Sequence, residues 1–150
     1  MRVFISLLVL LCTPVIARSD VALPPPPPQI MHVLSAIQPT QIQKTIEKLV
    51  SFGTRHTLSD TTSATRGIGA ARRWIKTEME TCAQKSGGRM TVEFDEHVRP
   101  AGPRIPQAVD VVNVVATLKG TAVPERVLVV SGHYDSRASD VMNATIDAPG

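Results

Sequence analysis

The 150 residues carry 16 basic and 13 acidic side chains, a formal charge of +3, with 43% hydrophobic and 3% aromatic residues. So mild a charge, spread along the chain, and so few rings for base stacking exclude a nucleic-acid-binding protein. The length suits one ordinary domain, and no internal repeat divides it.

The chain opens MRVFISLLVLLCTPVIA. Arg2 forms a short positive region, Val3 to Ile16 are mostly apolar, and Val15-Ile16-Ala17 offers a cleavage position. This three-part pattern predicts a secretory signal peptide over residues 1–17. The apolar stretch falls short of the about 20 residues of a membrane span, so no stable membrane insertion is expected after cleavage, and the expected location is secreted or periplasmic. Cleavage removes Arg2 alone among the charged residues, leaving 15 basic and 13 acidic side chains and a charge of +2. Cys12 leaves with the leader. Cys82 is then a single thiol that forms no internal disulfide, and it is expected to pack as a small hydrophobe on a helix.

Residues 18–38 contain five consecutive prolines, Pro24 to Pro28. Such a run favours an extended, solvated polyproline helix and predicts a linker. Thr40 with Gln43 has capping-box spacing, and Ile42, Ile46, Leu49 and Val50 form one apolar stripe of a helix that Gly53 closes. The hydroxyl-rich stretch TRHTLSDTTSATRG has no period and reads as a loop. A second helix is expected from Ser63 or Thr65 to Ser86, with Ile68, Ala71, Ile75, Met79 and Cys82 facing inward and Gly87-Gly88 as a left-handed end. Its Gly67 and Gly69 follow no strand and lack a third glycine, so they read as close packing at a helix start and not as a nucleotide loop. Trp74, the sole tryptophan, reads as a packing residue of this helix.

From Met90 the period changes to two. Met90, Val92 and Phe94 alternate with Thr91, Glu93 and Asp95, a half-exposed strand. Residues 99–107 form a loop with three prolines, Val111 to Leu118 a second strand, and Gly120 to Glu125 a turn. Arg126 to Ser131 reads as a third strand. Its apolar run Val127-Leu128-Val129-Val130 predicts cover on both faces, as at the centre of an α/β sheet, and the short turn before it predicts an antiparallel hairpin with the second strand. Two helices and three strands do not enclose such a sheet, so residues 39–150 are expected to form the N-terminal part of a larger domain.

The third strand runs into Gly132-His133-Tyr134-Asp135-Ser136. In extended backbone His133 and Asp135 share a face and Tyr134 points elsewhere. Ligands of open α/β sheets bind above the carboxyl ends of strands. A neutral imidazole can hold a metal through one nitrogen while a carboxylate fixes its other N–H, and an ordinary His–Asp hydrogen bond is the plainer alternative. A serine hydrolase using Ser131 or Ser136 lacks the G-x-S-x-G elbow. His32, His56 and His97 lack ligand spacing to one another, and surface or packing roles suit them better. Asn143-Ala144-Thr145 has the pattern of a glycosylation sequon.

The segments NVVATLKG, ERVLVVSGHYDS and DAPG, with SFGTRH and TRGIGAARRWI earlier, resemble the M28 family of zinc aminopeptidases over residues 40–150. The resemblance implies a three-layer α/β/α sandwich with a mixed, mainly parallel sheet, incomplete in this chain. It implies two zinc ions, peptide substrates, and an exopeptidase that removes N-terminal residues. His133 is then a zinc ligand and Asp135 the catalytic acidic residue that orients it. Paired metals about 3.5–4 Å apart polarise a carbonyl and activate a bridging water. The family's bridging carboxylate, its Glu–Glu pair with the general base, and a later Asp and His have no counterpart among these 150 residues. Asp140 and Asp147 do not match those positions. The chain alone is therefore expected to be inactive. A glutaminyl-cyclase-like zinc acyltransferase, which shares the HYDS-type strand end, and a non-catalytic remnant or binding module are the alternative readings. Substrate preference and oligomeric state are not legible.

Overall fold

The structure is a computed structural model that describes residues 24–103 and 105–150. The leader expected over residues 1–17, with Cys12, lies outside the described residues. Contacts divide the chain after Ile37. Before that division, Pro27 has φ −53° and ψ 150°, close to polyproline geometry, and precedes helix α1, Pro28–Ala36. The linker expected over residues 18–38 therefore contains a helix. Pro28 occupies its first turn, where the missing N–H costs no intrahelical bond.

The unit Gln38–Gly150 holds helices α2, Pro39–Val50, and α3, Gly67–Gln84, with strands β1, Met90–Arg99, and β2, Val109–Leu118. The Thr40 cap does not form. Pro39 starts α2 two residues earlier than a Thr40 cap would, Gln38 stands at the cap without a side-chain bond, and the Gln43 amide instead donates to Glu47 at 2.7 Å. Only Leu49 of the apolar stripe reaches the core; Ile42, Ile46 and Val50 stay exposed.

Helix α3 begins at Gly67, later than the hydroxyls at 63 and 65 suggested, because Gly67 adopts φ +80° and sits against Asp60. A Cβ on Gly69 would stand 2.1 Å from the Thr61 carbonyl oxygen. Both glycines thus act as close packing between the loop and the helix start. Gly87 and Gly88, at φ +63° and +81°, follow the helix end in the left-handed region that favours glycine. Ile68 and Ala71 are buried and Met79 and Ala83 half-buried, but Cys82 is exposed, on a side of the last turns that the described residues leave uncovered. Cys82 therefore does not pack as a buried small hydrophobe.

Strands β1 and β2 pair antiparallel over their whole length, from Met90 opposite Leu118 to Arg99 opposite Val109. The two-residue period of β1 turns Met90, Val92 and Phe94 to the half-buried face, and α3 packs against both strands. The core joins Phe52, Ala70 and Ala71, flanked by Leu49, Trp74 and Tyr134; the Phe52 and Trp74 rings lie 6.1 Å apart and tilted.

The third strand is absent. Residues 126–131 have no assigned strand, and Val127 to Val130 are 77–97% exposed. The antiparallel partner of β2 is β1, not the following segment. A continuous apolar run is held as a strand by ladder partners at its edges and layers on its faces. Among the described residues neither is present, and no strands pair in parallel.

Candidate functional site

His133 to Ser136 is fixed from one side. The Tyr134 hydroxyl donates to the Val112 carbonyl at 2.7 Å, carrying its ring toward the core. Burial raises the Tyr134 pKa, against the pull of Arg72 and with a smaller push from Asp135. Ser136 is buried. Its hydroxyl accepts from the Arg55 amide at 3.0 Å and donates to the Ala148 carbonyl at 2.6 Å, and its own amide donates to the Arg55 carbonyl at 3.2 Å. With both faces of that hydroxyl occupied, Ser136 is no nucleophile.

Arg55 joins three pieces of chain. Its guanidinium donates to the carbonyls of Leu49 at 2.7 Å, Tyr134 at 2.7 Å and Pro149 at 3.0 Å. The residue is only 5% exposed. Burial lowers its pKa, and the Asp135 charge nearby works the other way. Sequence reasoning passed over Arg55 because it lies in an aperiodic loop. A basic residue beside a helix end, inside SFGTRH, was the available signal.

The alternation expected of residues 133–135 holds without a strand. Tyr134 turns inward, while the His133 side chain is 86% exposed beside Asp135. His133 Nδ1 lies 3.3 Å from Asp135 Oδ1 and 3.1 Å from the Asp135 carbonyl oxygen. Both neighbours are acceptors, so Nδ1 carries its proton toward them, and in a neutral ring the lone pair would then lie on Nε2. That is the tautomer of a carboxylate-oriented imidazole ligand. His56 has the opposite arrangement: Nδ1 accepts from the Leu58 amide at 3.0 Å, and Nε2 donates to the Val141 carbonyl at 3.1 Å. Both its nitrogens are spent on packing. His97 faces Asp95 at 2.9 Å.

Next to this segment lies a cavity of about 330 Å³, lined in part by His56, Leu58, Asp135, Ser136, Val141 and Met142. Asp135 thus touches both the imidazole and the cavity. Asp147 pairs with Arg66, and the Asp140 carboxylate accepts from the Met142 amide, so both acids belong to the loop. Among the described residues no three His, Cys, Asp or Glu side chains come together as a metal cage. Catalytic zinc ordinarily takes three protein ligands. The pair at 133 and 135 supplies one imidazole beside one carboxylate, with the ring nitrogen hydrogen-bonded to the Asp135 carbonyl, and these residues alone do not make a zinc site.

Proteins to which this chain is similar carry the name probable zinc metalloprotease. They include a probable zinc metalloprotease of Leptosphaeria maculans, 53% identical over 127 residues, covering 85% of this chain and 30% of the relative. Another, from Pyricularia oryzae, is 53% identical over 125 residues, covering 83% and 25%; one from Pyrenophora teres f. teres is 50% identical over 126 residues, covering 84% and 26%. The chain thus spans between a quarter and a third of the length of these curated relatives. No family model matches the chain, and no solved structure does.

Proposed function

We propose that this chain carries part of the active site of a secreted zinc metalloprotease of the M28 aminopeptidase type. The observation that supports it is the geometry at 133–135: an exposed imidazole whose Nδ1 faces the Asp135 carbonyl and carboxylate, in a chain about half identical to probable zinc metalloproteases. His133 is the metal ligand and Asp135 the acid that orients it. Bound zinc would polarise the scissile carbonyl and lower the pKa of a water. This chain's own part is narrower. Asp135 holds the proton at Nδ1, the bonds from Arg55 and Ser136 fix the segment, and the cavity beside Asp135 receives a substrate residue. The remaining ligands come from chain beyond these residues, and two zinc ions are expected in the complete centre. In that setting Val127 to Val130 becomes a central strand of a mixed, mainly parallel sheet with helices on both faces.

A chimera tests this reading. This chain replaces the matching part of the Leptosphaeria maculans relative, and zinc content is measured together with release of N-terminal residues from peptides. We expect zinc and hydrolysis in the chimera and loss of both with His133→Ala, while the 150-residue chain alone hydrolyses nothing. Undiminished zinc and hydrolysis in His133→Ala would overturn the assignment. Cyclisation of N-terminal glutamine in place of hydrolysis would support the acyltransferase alternative.

A further inference from the structure

The loop after Ser136 carries a feature that the peptidase reading does not use. The chain has two asparagines, Asn113 and Asn143, and only Asn143 is followed by a non-proline residue and a hydroxyl amino acid, in Asn143-Ala144-Thr145. The two side-chain amides are also differently engaged. Asn113, on β2, spends its Nδ2 on the Asp95 carboxylate at 3.1 Å. Asn143 works through its oxygen: Oδ1 accepts from the Thr145 amide at 3.0 Å, the Thr145 hydroxyl at 3.0 Å and the Ile146 amide at 2.9 Å. No protein group among the described residues accepts a hydrogen bond from its Nδ2. The main chain turns here through the Asn143 amide, which donates to the Asp140 carbonyl at 3.1 Å. The sequon therefore lies outside strand and core, held by these local bonds and by the Arg66 guanidinium, which donates to the Thr145 carbonyl at 3.0 Å.

We propose that Asn143 is an acceptor of N-linked glycan. The donor class is a lipid-linked oligosaccharide diphosphate. Asn143 Nδ2 attacks the anomeric carbon of the first sugar. The bond from that carbon to the diphosphate oxygen breaks, with its electron pair leaving on the diphosphate, and Nδ2 gives up one proton. The product is a secondary amide, and no oxidation or reduction occurs. A secondary amide keeps its carbonyl oxygen, so all three bonds to Oδ1 survive the modification, and the departing hydrogen supported none of the described contacts. Val141 and Met142, just before Asn143 in the chain, line the cavity that Asp135 also lines.

The inference needs passage through a secretory compartment and is independent of zinc. The full chain is translated with microsomes, and protease-protected product is treated with an amide-cleaving endoglycosidase. The expected result is one glycan-dependent mobility shift, lost in Asn143→Gln and in Ala144→Pro and kept in Thr145→Ser. Protected chain without a shift overturns the proposal, as does a shift that persists in Asn143→Gln. A chain that never becomes protected overturns it too, by removing the compartment in which the transfer occurs. None of these outcomes bears on zinc or hydrolysis in the chimera, so the two readings fail separately.

Discussion

Removing the Arg55 side chain separates the two things it does: satisfying carbonyls and tying the 133–136 segment to α2. Arg55→Ala deletes three hydrogen bonds from one cation, to Leu49, Tyr134 and Pro149. Bonds to a charged group contribute about 1.5–3 kcal/mol each. These are partly buried, so the lower figure applies and the gross loss is about 4.5 kcal/mol. Releasing a long side chain from one rotamer returns about 1.5–2 kcal/mol. The net destabilisation is then about 3 kcal/mol, or roughly 12 °C in Tm at about 4 °C per kcal/mol for a unit of this size. Arg55→Lys keeps the charge but replaces a planar fork by a point donor, so about half the loss is expected. Urea unfolding followed by circular dichroism measures both, and amide shifts of Tyr134 to Ser136 report the local effect. A loss under about 1 kcal/mol in Arg55→Ala, well below the low end for even one deleted bond, or unmoved amides at 134–136, would refute the reasoning.

Gly69→Ala forces a Cβ to within 2.1 Å of the Thr61 carbonyl oxygen, a backbone atom that has to move; the expected cost is about 3 kcal/mol in thermal unfolding, at the upper end for overpacking. Ser136→Ala leaves the Arg55 amide without its acceptor and the Ala148 carbonyl without its donor, a loss of about 1–3 kcal/mol seen in the same assay. Two acids set an acid limb. The amides of Ser63 and Thr62 hold the Asp60 carboxyl below its ordinary value, and the Asn113 amide, with His97, does so for Asp95. A folded-state pKa below the unfolded one gives stability that is present above about pH 3.9 and lost as pH falls through the folded value. The urea midpoint should therefore decline below that pH, and less steeply in Asp60→Asn and Asp95→Asn.

Much of the local structure could be read along the chain, because it depends on neighbours in sequence. The period of two at Met90, Val92 and Phe94 gives a half-buried strand in any setting that covers one face, and the structure forms it. The double glycine after α3 answers to backbone geometry alone, and the tight glycines at its start to a loop only a few residues upstream. The i, i+2 alternation that brings His133 beside Asp135 is likewise a property of extended backbone. Helix starts were less legible: Pro39 and Gly67 displaced the hydroxyl caps, since a fixed φ and a close loop contact outweigh one side-chain bond.

What sequence could not decide are the long-range partners. Arg55 and Ser136 are 81 residues apart, and no local pattern announces that a loop arginine will satisfy carbonyls at 49, 134 and 149. The exposed side of Cys82 and the unpaired run at Val127 to Val130 follow from which surfaces find a cover. Periodicity records that a segment is suited to burial. Whether it is buried depends on a second surface brought up by the rest of the fold, because a hydrophobic face and a backbone ladder are each completed only by another piece of chain.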